Sequence, residues 1–140
     1  MDTFRLQRQQ SIESLSLEKQ DGFSDAAIGL WERVAAQIIA LVGETGFDSL
    51  YARSVFLAQP TFPWLTEPTQ PPPEGHRFAN LRTNLEGKPP ELASAANRLL
   101  LIILTDTLAS LIGEALIERV LASVWGNLDH YRANKGGENE

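Results

Sequence analysis

The sequence predicts an all-α fold: a compact bundle of about four to five helices with a Pro-rich loop and flexible termini. Apolar residues recur at three- and four-residue spacing through two long stretches, no alternating strand pattern competes, and the prolines gather mainly between Pro60 and Pro73. A chain of 140 residues has the length of one domain and buries about two-thirds of the surface its unfolded form exposes. One core is expected, in a single helical domain over residues 23–127 between an N-terminal arm, 1–22, and a polar C-terminal tail, 128–140.

Taken in order, residues 1–22 are polar, with isolated apolar side chains at Phe4, Leu6, Ile12, Leu15 and Leu17 and a turn-like Asp21-Gly22 at the end. A flexible arm with at most a helical turn is expected, or else a docking peptide for a partner. The first long helix starts at Ser24, an N-cap residue followed by Asp25 in the first turn, where a carboxylate favours the helix dipole. Ile28, Trp31, Ala35, Ile38, Ile39 and Val42 share one face, and Gly43 ends the helix. Glu44-Thr45-Gly46 reads as a break. A second helix then carries Phe47, Leu50, Tyr51, Ser54, Leu57 and Ala58 to the residue before Pro60. So short a connection makes the two helices neighbours.

Residues 60–75 form the Pro-rich loop, because proline removes the backbone donor that a helix or a central strand needs. Phe62, Trp64 and Leu65 are too apolar to float in solvent and should tuck onto the bundle, while Pro71–Pro73 make an extended spacer or a weak ligand for an aromatic groove. A short helix over 76–85, with Phe78, Leu81 and Leu85 inward, leads to Pro89-Pro90 in the first turn of the central helix. That helix is the most apolar part of the chain, with six consecutive large aliphatics at Leu99–Leu104. A membrane span needs about 20 mostly apolar residues; Asn97 and Arg98 on one side and Asp106 on the other favour a buried soluble helix. Gly113 kinks or splits it.

Composition excludes several functions. Twelve basic residues against eighteen acidic ones give a net charge of −6 with no basic cluster, a poor match to nucleic acid or to an anionic membrane. With no cysteine, disulfide scaffolds, thiolate metal sites and cysteine nucleophiles are ruled out. No secretory signal pattern is seen near residue 1, so a cytoplasmic location is expected. His76 and His130 stand apart, without the spacing of a metal site, and neither a serine-nucleophile elbow nor a phosphate loop is present. No cofactor, metal or enzymatic activity is expected.

Asp106, Ser110, Glu114 and Glu118 fall at four-residue steps along one stripe. Asp106 sits among apolar neighbours, so its carboxylate needs a partner; Arg53 and Arg98 are the candidates for a polar core or pocket. Tyr51, Phe56 and Trp64 are candidate pocket aromatics, with Leu100 beside them, though core filling is the simpler role for aromatic side chains. Leu116, Val120, Leu121 and Trp125 are the candidate interface, because residues 99–125 carry more apolar surface than two amphipathic helices cover. The expected function is a non-enzymatic helical interaction or regulatory domain of the signalling type. It would form a homo-oligomer, with a dimer favoured, or bind another protein. The alternative is a small-molecule sensor with an apolar pocket.

Overall fold

The computed structural model describes residues 3–13, 23–66 and 77–124, and every regular element among them is a helix. The order is α1 (Thr3–Glu13), α2 (Phe23–Ala58), α3 (Ala79–Glu86) and α4 (Pro90–Ile112), with a last helix, α5, over 114–124. The expected all-α bundle is therefore what forms. His76, the Pro71–Pro73 tract, Trp125, His130 and the expected tail over 128–140 lie outside the described residues.

One backbone conformation decides the shape of α2. Gly43 has φ 84° and ψ 166°, a region open essentially to glycine alone. Were the helix straight, Trp31 and Tyr51 would stand about 30 Å apart along its axis. Instead their rings meet edge to face at 5.5 Å. The two halves of α2 therefore fold back on each other as a helical hairpin, and the elbow is narrower than the expected break, since Glu44, Thr45 and Gly46 are already helical. A Cβ added at Gly43 meets no atom within 4 Å, so the penalty for a side chain there is purely conformational. Gly43→Ala is expected to destabilise the fold by about 1–3 kcal/mol, measured by urea denaturation; an unchanged midpoint would show that the elbow tolerates another geometry.

Packing onto the elbow explains the remaining elements. Trp31, Phe47, Tyr51 and Phe78 form one aromatic cluster with ring centroids 5.5–6.0 Å apart. Phe78 leads into α3, whose Leu81 and Leu85 continue the same buried surface. α3 bridges the two halves of α2: Arg82 pairs with Asp25 in the first, while Arg77 pairs with Asp48 and reaches Glu44 at 3.6 Å in the second. These pairs are solvent-exposed and set register more than stability. The loop after α2 does tuck inward, with Phe62 and Leu65 buried and Trp64 half-buried under Lys88. It is tied to α3 by Asn80 Nδ2–H donating to the Thr66 carbonyl at 2.7 Å and by the Thr66 N–H donating to Asn84 Oδ1 at 3.0 Å.

α4 runs against the hairpin and supplies the central apolar face, with Ala93, Ala96, Leu100, Leu101, Leu104 and Leu108 buried. Three polar residues share that face. Asn97 Oδ1 accepts from the Trp31 indole N–H at 2.6 Å, and the Thr105 hydroxyl donates to the Leu101 carbonyl at 2.8 Å, so neither is left unsatisfied in the core. Ser94 is buried and accepts from Arg98 at 2.5 Å. At Gly113, φ 95° and ψ 153° end α4 and redirect the chain into α5. Ile117, Val120, Leu121 and Val124, one face of α5, join the buried core.

The N-terminal arm departs from expectation. Residues 3–13 are helical and pack on α4, with Arg8 and Ile12 buried. Their sequence is too polar to announce a helix, and the burial of one arginine against carboxylates on α4 and α5 accounts for the difference.

Candidate functional site

Two places concentrate chemistry at the surface of this bundle: a charged junction under α1 and an apolar face on the second half of α2.

At the junction, the Arg8 side chain is 2% exposed. Its Nη1 donates to both oxygens of Glu114 at 2.6 Å, and its Nη2 donates to Asp106 Oδ1 in a short contact. Gln9 Nε2 adds a bond to Asp106 Oδ2 at 3.2 Å. Burial by itself would lower the Arg8 pKa; hydrogen bonds and attraction from Glu114 and Asp106 outweigh it and hold the guanidinium charged above its ordinary value. The stripe read from the sequence is thus split by Gly113, yet its first and third members converge on one cation. Ser110 turns to the Thr107 carbonyl at 2.7 Å. Glu118 is half-buried with one carboxylate oxygen that has no hydrogen-bond partner, and Arg8 Nε is likewise buried without one. Among the described residues, no three His, Cys, Asp or Glu side chains are grouped to hold a metal ion.

The partner expected for Asp106 is corrected. Arg53 lies on the exposed side of α2, and Arg98 donates to Ser94 on its own helix. Arg8, far away in sequence, occupies the place expected for one of them. No protein-family model, curated protein or solved structure matches this chain.

Tyr51, Phe56 and Trp64 are not brought together. Tyr51 is in the aromatic core, where burial pushes its phenol pKa up. Trp64 packs against Phe62 at 5.7 Å on the loop. Phe56 points outward, 61% exposed, beside Leu57 at 41%. Leu100 is fully buried among core side chains. These four residues therefore do not line a common cavity.

The residues expected as an interface on α5 are placed unequally within the single chain. Val120 and Leu121 are buried, Leu116 is half-buried, and Trp125 lies outside the described residues. Exposed large apolar side chains occur elsewhere, at Leu6, Leu41, Phe56, Leu57, Leu92 and Leu111. Phe56 and Leu57 are the adjacent pair, flanked by half-buried Ala52 and exposed Arg53 one turn earlier. Because side chains four apart share a helix face, these residues make a continuous patch with an arginine at its rim. The apolar spacing of the second helix agrees with the position of Phe56: nine residues after Phe47, it falls about 180° from the inward stripe.

Proposed function

We propose that the chain is a non-enzymatic helical interaction domain of the regulatory type, acting in the cytoplasm and pairing with a second copy through the outer face of the second half of α2. The observation that carries this is Phe56 at 61% exposure next to Leu57 at 41%, while the other described aromatic side chains are buried or half-buried. A two-fold pairing places the same patch on both partners, so one exposed aromatic buries two. Aromatic and arginine side chains are favoured in such contacts, which gives exposed Arg53 a rim role in place of the core role expected from sequence.

A membrane is the second reading, because α2 and α4 are each long and apolar enough to cross one. Against it, Glu32 and Arg33 are exposed midway along the first half of α2, and Asp106 on α4 is held by Arg8; each charge at a bilayer centre costs about 2.5–3.5 kcal/mol or more.

Light scattering in detergent-free buffer tests both. The native chain is expected at twice its mass of 15.5 kDa, and Phe56→Glu at the single mass with an unchanged far-ultraviolet spectrum. A native monomer would overturn self-association, and a chain that disperses only in detergent would favour the membrane.

A further inference from the structure

We propose that α1 is a strap that sets the angle between α4 and α5, with Arg8 as the tie across the Gly113 joint. The joint needs one. Gly113 adopts a glycine-only conformation, and a Cβ built there meets nothing within 4 Å; the buried face of α5 seats that helix on the core, but no side chain at Gly113 itself restrains the turn. What crosses the joint is the Arg8 guanidinium, one nitrogen on Asp106 before Gly113 and another on Glu114 directly after it. A planar fork with fixed donor directions holds its two acceptors in a defined relation, which a flexible point charge would not. The angle between the helices and the docking of α1 are therefore one equilibrium.

The docked state also has the features of a strap that releases. An isolated helix of eleven residues is marginal in water, so α1 depends on its contacts with α4 and α5 for its helicity. Of its described side chains, Arg8 and Ile12 are buried, Gln9 is half-buried, and Leu6, Gln7 and Gln10 are exposed. Arg8 Nε and one Glu118 oxygen are buried without partners, a penalty that water would relieve on undocking.

The chain has no cysteine, so Leu92→Cys and Ala122→Cys, both at exposed positions on α4 and α5, place a spin-label pair across the joint. Amide exchange over residues 6–12 reports docking. In Arg8→Met, exchange there is expected to rise by about tenfold or more while amides around Trp31 and Ile38 keep their protection, and the label distance should shift or broaden. If Arg8→Met loses the α2 protection as well, the Asp106→Asn, Glu114→Gln double variant, which keeps side-chain shape, supplies the readout with the same expectation. Faster α1 exchange with an unchanged distance distribution would overturn the proposal, because α1 would then be docked without governing the joint. Unchanged α1 exchange would overturn it too.

Discussion

Trp31→Ala is expected to lower folding stability by about 3–5 kcal/mol, from a total that for a domain of this size is about 5–15 kcal/mol. Trp31 is fully buried between the two halves of α2, its ring centroid 5.5 Å from that of Tyr51 and 5.7 Å from that of Phe78. Truncation opens a cavity between the two halves of the hairpin and α3, whose rings cannot close over it without moving backbone. It also removes the indole donor from Asn97 Oδ1, leaving a buried acceptor on α4 unpaired, a further cost of about 1–3 kcal/mol. Trp31→Phe weights the comparison toward the second effect, since it loses the donor while a six-membered ring still fills most of the site. Urea denaturation followed by far-ultraviolet circular dichroism measures both. A loss for Trp31→Ala below about 1 kcal/mol, ordinary for an average substitution, would mean that the aromatic cluster is not the packed centre of the fold.

The hairpin was legible because its signals are local. Asp25 lies in the first turn, Gly43 marks the elbow and Pro60 the end, and the apolar period fixes the inner face, while Ser24, expected as the N-cap, is already inside the helix and donates to Glu86. Even there the period has a blind angle. At about 100° per residue, Val55 and Leu57 fall on opposite flanks of the stripe centred on Phe47, Tyr51, Ser54 and Ala58, each roughly 80° away. Periodicity cannot choose between them, and the neighbours put Val55 in and Leu57 out. Phe56 drew attention as an aromatic, but its register, opposite Phe47, directs it outward.

The charged junction was legible by half. Four-residue steps placed Asp106 and Glu114 on one stripe, and the cost of an unpaired carboxylate required a cation. Which cation is a long-range fact. Arg8 is 98 residues from Asp106, in a segment whose polarity suggests no structure, and α1 becomes a helix through the contact it makes. Arg53 and Arg98 were nearer in sequence to Asp106, a criterion without physical force for a tertiary ion pair.

Leu121→Glu is expected to unfold the protein and not to dissociate an intact one. Leu121 is 3% exposed, on the face of α5 that also carries Ile117, Val120 and Val124 into the core. Removing its buried aliphatic volume costs about 2–5 kcal/mol. The carboxylate put in its place has no cation three or four residues away and lies three residues after Glu118, a like charge on the same helix; an unpaired buried charge adds several kcal/mol more. The sum approaches the whole stability of a domain, about 5–15 kcal/mol. Phe56→Glu makes the opposite case, since a site exposed on the single chain changes that chain's own stability by about 0.5 kcal/mol, apart from what association adds by mass action. Thermal melts and solution mass measured together on the two variants separate core from surface: Leu121→Glu should lose its cooperative transition, while Phe56→Glu should keep it. A folded Leu121→Glu protein with a halved mass would return the interface to residues 114–124, and would mean that the burial of α5 is completed by a second chain in solution.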